Sequence, residues 1–228
     1  MSFFKASKSK EDLKQGGSTG YINNSGCYPL KVLAAFVSLG NEQTQTVDLY
    51  VDHEKQKQVL YGNMRIKNKD GSTNKIGAKV FNQLIIVAGL EEVAEPVEAE
   101  LPIGKEGALK DVALLEDFED LEVYAQIQME YSVYNSNITE KKVIRGFYRM
   151  EDKASAEEIV NGEGFGTQFE KDEKYFSNVT YKDGLDAEAV AQWIKDNRPK
   201  GTGGAGSAGT SSTAKKAPSF GTKKKFGK

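Results

Sequence analysis

From Val47 to Ala88 the chain reads VDLYVDHEKQKQVLYGNMRIKNKDGSTNKIGAKVFNQLIIVA, and a change of period inside this stretch decides the fold. In its first part Val47, Leu49 and Val51 alternate with Asp48, Tyr50 and Asp52, which predicts a strand with one dry face. A polar turn around His53–Lys57 leads to another alternating run. There Leu60, Met64 and Ile66 share one face, and Tyr61, Asn63, Arg65 and Lys67 share the other. Beyond the loop Asn68–Lys75 the period lengthens. Ala78, Phe81, Leu84, Ile85 and Ala88 recur at helical spacing, with Gly89 positioned to close the helix.

Working outward, LKVLAAFVSL (Leu30–Leu39) is apolar on both faces and fits a long buried first strand. On the other side, Val123, Ala125, Ile127, Met129, Tyr131 and Val133 alternate with polar partners, which puts Tyr131 in the core. Lys142–Met150 pairs back after the turn NSNITEK. The order is strand, strand, strand, helix, strand, strand. That is the order of an OB-fold, a five-stranded β-barrel with its helix between strands three and four. The predicted fold class is therefore mainly β with minor α. Closure would also remove the exposed edges of an open five-stranded sheet, the competing arrangement.

The remaining segments frame this unit. Residues 1–29 read as a polar lead-in broken by glycines, and 30–150 as the barrel. Within it, 91–120 holds eleven acids against two lysines, with Pro96, Pro102, Gly104 and Gly107, and reads as an extended acidic insertion. Residues 151–200 form an extension packing on the barrel. Ser155–Val160 predicts a helical turn or two, Lys174–Lys182 a strand, and Asp186 caps a helix to Asn197 with Val190, Trp193 and Ile194 inward. From 201 to 228 Gly, Ser, Thr and Lys dominate, a composition that cannot bury enough apolar surface to offset chain entropy, so a disordered tail is expected. Its lysines make it cationic while the rest of the chain is net acidic.

Several function classes lose their footing here. No apolar run approaches the roughly 18–20 residues that span a bilayer, so no membrane role is expected. A single cysteine, Cys27, suits a reducing compartment. His53 is the only histidine and falls in a polar turn, where a solvated surface side chain is expected; a Cys27–His53 dyad has no support in the sequence. One His and one Cys cannot make a structural zinc site, and the acids of 91–120 lack the spacing of a cation loop. GGSTG (Gly16–Gly20) and GEGFG (Gly162–Gly166) lack the order of a phosphate loop and read as turns. No catalytic residues, metal or cofactor are expected, and the chain is not read as an enzyme.

Binding a single strand needs a cationic path for phosphates and flat rings on which bases stack. In OB-folds the site is the face of strands two and three with the adjoining loops. The alternation puts Tyr50, Tyr61, Arg65 and Lys67 on that face, with Lys69 and Lys75 in the following loop. On strand five Arg145, Phe147 and Arg149 share a face, with Lys141 and Lys142 in the turn before them. In the tail, Lys215, Lys216, Lys223, Lys224 and Lys225 interleave with Phe220 and Phe226, which suits loose phosphate contact.

The runs GCYPLKVLAAFVSL (Gly26–Leu39), VDLYVD (Val47–Asp52), LYGNMRIKNKDGS (Leu60–Ser72) and GAKVFNQLIIVAGLE (Gly77–Glu91) resemble tailed-bacteriophage single-stranded-DNA-binding proteins over about residues 20–150. The resemblance implies coating and protection of single-stranded DNA during phage replication and recombination, in the host cytoplasm, alongside phage or host replication proteins. The basic C-terminus departs from the acidic tip by which such binders commonly recruit partners. The alternative reading is a protein-interaction or virion module that uses the same barrel without touching nucleic acid.

Overall fold

In a computed structural model, residues 20–39 and 43–197 are described. Among these residues eight strands form one mainly antiparallel sheet, and no backbone ladder closes it. The fourteen-residue β1 (Gly26–Leu39) is its axis. Along one edge it pairs from Lys31 to Leu39 with β2 (Gln45–His53), and β2 pairs in turn with β3 (Gln56–Lys67). Its other edge is shared. Gly26–Lys31 pairs with β6 (Glu122–Tyr134), and Ala35–Val37 with β5 (Lys110–Leu115). At the changeover Val32 N donates to Leu121 O (2.8 Å), and a bulge between Val32 and Ala34 resets the inward face to Ala35.

The predicted alternation accounts for the core. Val47, Leu49 and Val51 of β2 meet Leu60 and Met64 of β3 beneath α1 (Lys75–Val87), which adds Leu84 and Val87. Burying each such side chain contributes about 1.5–3 kcal/mol. Partly buried Phe81 packs at 5.8 Å on Phe118, which is fully buried. The N-terminus of α1 is fastened by Asn74, whose side chain accepts from Gly77 N (2.9 Å) and donates to Asn68 Oδ1 (2.9 Å). Gly77 lies directly against β3, for a Cβ there would overlap the Arg65 carbonyl oxygen.

β6 and β7 (Asn137–Arg149) form a long hairpin through Asn135 and Ser136, both at positive φ as a two-residue type I′ turn requires. Glu54 and Lys55 do the same between β2 and β3. No ladder joins β3 to β7 among the described residues. Side chains span that seam instead: Ile144 N donates to Asn63 Oδ1 (3.0 Å) and Lys142 Nζ to Gln58 Oε1 (3.1 Å).

Four expectations need correction. The first strand begins at Gly26 rather than Leu30, and Ile22 before it is buried. The acidic segment is not simply extended: β4 (Val97–Leu101) and β5 make a hairpin that docks on β1 through Leu114 and Leu115. Glu98 and Glu100 on β4 supply the charge by which edge strands resist further pairing. Of the strand predicted over Lys174–Lys182, only β8 (Thr180–Tyr181) forms, parallel to β6. Phe176 packs instead on Phe169 at 5.1 Å. His53 is 7% exposed, its Nδ1 2.9 Å from Pro29 O and its ring edge-on to Tyr28, so it belongs to the packed end of β2 rather than to a solvated turn.

After the sheet come α2 (Ala156–Asn161), α3 (Thr167–Glu173) and α4 (Ala187–Asn197). Ser155 and Glu158 close a capping box on α2. Asp186 Oδ1 accepts from Ala189 N (2.8 Å) at the start of α4, which lays Val190, Trp193 and Ile194 on Met129 and Tyr131 as a second cluster. No helix among the described residues is long and apolar enough to cross a membrane.

Candidate nucleic-acid interface

The outer face of β2 and β3 is organised by a carboxylate. Opposite Asp48, β3 has extra residues, Tyr61–Asn63, between the pairs Leu49–Leu60 and Val47–Met64. Gly62 sits in this bulge at φ 69°, and its N–H donates to Asp48 Oδ1 (2.6 Å), while Ser38 Oγ donates to Oδ2 (2.7 Å). Asp48 is only 2% exposed. Burial pushes its carboxyl above the usual range, and the bonds from Ser38 and Gly62 and the charge of Lys141 offset part of that rise.

Tyr61 follows the inward Leu60, faces outward and is 50% exposed. Partial burial and the nearby Asp48 push its phenol up, so it stays a neutral ring. Tyr50 stands on the same face. Its register partner on β3 is Val59, two residues before Tyr61, so both rings leave the same side of the two strands. Further along β3, Arg65 and Lys67 are exposed opposite Thr46 and Gln45. Lys69 follows in the turn closed by Asn68 N to Ser72 O (2.9 Å), and Lys75 opens α1. Lys141 arrives from β7: its Cε would lie 4.0 Å from a Cβ on Gly62. Two rings therefore share this face with Arg65, Lys67 and Lys141.

Lys141 and Lys142, expected in a turn, lie within β7, because the turn is only Asn135–Ser136; Lys142 and the predicted residues of strand five do not join this face. A bulge between Gln126 and Ile127 makes Arg145 the extra residue of β7 and breaks the expected alternation. Phe147 falls on the inner face, 2% exposed within the main core, and cannot stack a base in the folded protein. Arg145 points outward, its Nε donating to Gln128 Oε1 (2.6 Å) and Nη2 3.9 Å from Glu130. Lys142 lies opposite Met129 and points into the seam, bonded to Gln58 and 4.3 Å from the Tyr21 ring. Arg149 is held by Asp152 through Nε (3.0 Å) and Nη2 (2.5 Å) and lies over Phe165, at the end of β7 far from Lys141. Eight residues of strand separate Arg149 from Lys141, about 26 Å. The tail lysines Lys215, Lys216, Lys223, Lys224 and Lys225 lie outside the described residues.

Asn63, which the alternation reads only as another outward residue, ties the site across the seam to β7. Gly62, a lone glycine inside a strand pattern, is the sequence signal for the bulge that orients it.

Cys27 and His53 do not form a dyad. Tyr28, not Cys27, meets the His53 ring, and successive strand residues face opposite ways. Burial above all pushes the Cys27 thiol up to about 12. Among the described residues no group of three or more His, Cys, Asp or Glu side chains is arranged to hold a metal. No protein-family model matches the sequence, and no curated protein matches it.

Proposed function

We propose that this chain binds single-stranded DNA without sequence preference, through the outer face of β2 and β3 and the Lys141 end of β7. The observation that carries the reading is the grouping of Tyr50 and Tyr61 with Arg65, Lys67 and Lys141 on one face. Stacked bases would be held by the rings at about 1–3 kcal/mol each, a contribution every base can make. The cations would follow the phosphates and release counterions, which makes affinity fall with salt.

The connectivity favours an OB-like barrel as the scaffold. β1, β2, β3, β6 and β7 supply its five strands, α1 lies between the third and fourth, and the β4–β5 hairpin is an insertion. The β3–β7 seam is bridged by Asn63 and Gln58 rather than by a ladder. A role in protecting exposed strands during phage replication and recombination rests on the family resemblance.

Titration of a labelled oligo-dT at two salt concentrations tests the reading. Tight, salt-sensitive binding is expected. No binding at low salt overturns it in favour of a protein-interaction module.

A further inference from the structure

Beyond Arg145, the outer side of β7 opens into a cleft of about 230 Å³, bounded also by α1, β6 and the short helices that follow the sheet. Three amide side chains reach it: Gln83 from α1, Gln126 from β6 and Gln168 from α3. One wall is fixed by hydrogen bonds. Gln168 Nε2 donates to Asp172 Oδ1 (2.9 Å), and the Tyr148 hydroxyl donates to Asp172 Oδ2 (2.8 Å) with Gln126 Oε1 3.5 Å away. The Gln83 carbonyl Oε1 is shielded from solvent and has no hydrogen-bond partner among the described residues. A buried acceptor left without a donor is destabilising, and a ligand N–H that reached it from the cleft would supply the missing partner. Along the same side β7 presents bare backbone at Gly146, where an added Cβ would meet nothing within 4 Å but Gln83 Oε1, at 3.9 Å. A glycine inside a strand often marks such a close approach.

We propose that this cleft receives one unstacked nucleobase of the bound strand, its N–H edge turned to Gln83 Oε1. This rests on the single-strand reading above. Side-chain amides match the donor and acceptor edges of bases, and unstacked bases are read on those edges. Asp172 in the wall disfavours a phosphate. The volume suits a single planar heterocycle and falls short of the roughly 300 Å³ at which sites for drug-sized ligands begin. Lys141 and Gly146 are five residues apart on β7, about 17 Å, so a strand passing Tyr61 and Lys141 leads to the cleft.

Gly146→Val fills the cleft from a strand position with no positive φ and no close neighbour, and Gln83→Leu removes the acceptor. Both are titrated, after a thermal melt to establish folding, with labelled dA, dC and dT oligonucleotides of one length across a salt series. Gly146→Val is expected to weaken binding roughly five- to tenfold, the loss of one or two hydrogen bonds, with the salt slope unchanged. Gln83→Leu should weaken it less and narrow the differences among the three oligonucleotides. Wild-type affinity in both variants overturns the base site and leaves the single-strand reading standing; a slope shallower by about 0.7 in Gly146→Val would mean a phosphate occupies the cleft, and also overturns it. If the wild-type protein binds no oligonucleotide, the single-strand reading fails first. Free dAMP, dCMP and dTMP then decide the cleft: binding lost in Gly146→Val supports a nucleotide site, and no binding overturns it.

Discussion

The amide of Gly62 donates to the carboxylate of Asp48 at 2.6 Å, so a buried acid on β2 fastens the β3 bulge in which the outward Tyr61 stands. The arrangement carries a cost, because burial raises the folded-state pKa of Asp48 above its unfolded value. A carboxyl whose pKa is raised on folding contributes stability that is fully present below the unfolded pKa, near 3.9, and is lost as pH rises through the folded pKa. Asp48→Asn does not titrate. Its melting temperature relative to wild type should therefore climb as pH rises from about 3.5 to 7, with the change confined to the acid limb. A difference independent of pH would mean that Asp48 ionises as readily folded as unfolded.

Gly77 has no room for a methyl group. A Cβ would overlap Arg65 O and lie 2.6 Å from Arg65 N, both backbone atoms of β3. Gly77→Ala must push α1 away from β3, and overpacking of this kind costs about 1–3 kcal/mol or more. Urea denaturation should show a lower midpoint with the slope unchanged. Gly146→Ala, which meets no close neighbour, is the control expected to stay within about 0.5 kcal/mol of wild type.

The two tyrosines and Phe147 should separate binding from stability. Tyr50→Ala with Tyr61→Ala removes two rings from the outer face and should weaken oligo-dT binding by about 2–4 kcal/mol, with a melt near that of wild type. Phe147→Ala empties a core position and should lower stability by about 3–5 kcal/mol, while the fraction still folded binds with wild-type affinity. Wild-type affinity in the double tyrosine variant would put the strand on another face.

Cys27 should be slow to react. With its thiol pushed up to about 12, little thiolate exists at pH 8, and only the thiolate attacks an alkylating reagent. Iodoacetamide labelling of native protein at pH 8 should trail that of urea-unfolded protein by orders of magnitude. Comparable rates would contradict the burial.

Strands β2 and β3 and helix α1 are legible in the sequence because their hydrophobic periods are long and regular, and each residue of the Tyr61, Arg65, Lys67 series faces as its parity requires. β7 departs from its pattern at one point. An unpaired residue at Arg145 shifts every later side chain by one, so Phe147 turns inward, and nothing local in IRGFYR distinguishes a bulge from continued alternation except Gly146. The β4–β5 hairpin is hidden for a different reason. Its acids and prolines are those of a loop, and the strands gain their stability from docking Leu114 and Leu115 on β1, a tertiary contact that local propensity does not encode. His53 escapes a local reading because its neighbours Glu54 and Lys55 are polar, whereas its burial depends on Tyr28 and Pro29 far back in the chain.

Salt dependence separates the cations that meet phosphate from those committed within the fold. For single strands the slope of log K against log salt changes by about 0.7 for each phosphate that the protein neutralises. Arg65→Ala, Lys67→Ala and Lys141→Ala remove exposed cations from the face that bears Tyr61, and each should make the slope shallower by about that amount. Arg149 is already bonded twice to Asp152 and stands at the far end of β7, so Arg149→Ala should leave the slope unchanged while lowering stability modestly. Deleting 201–228 extends the test to a segment with six lysines and no acid. A slope shallower by several units of about 0.7 assigns phosphate contacts to those lysines, whereas an unchanged slope confines the cationic path to β3, its following turn and Lys141. Equal slopes in wild type, Arg65→Ala and Lys141→Ala would remove the electrostatic half of the proposed site, because cations that release no counterions are not touching the strand.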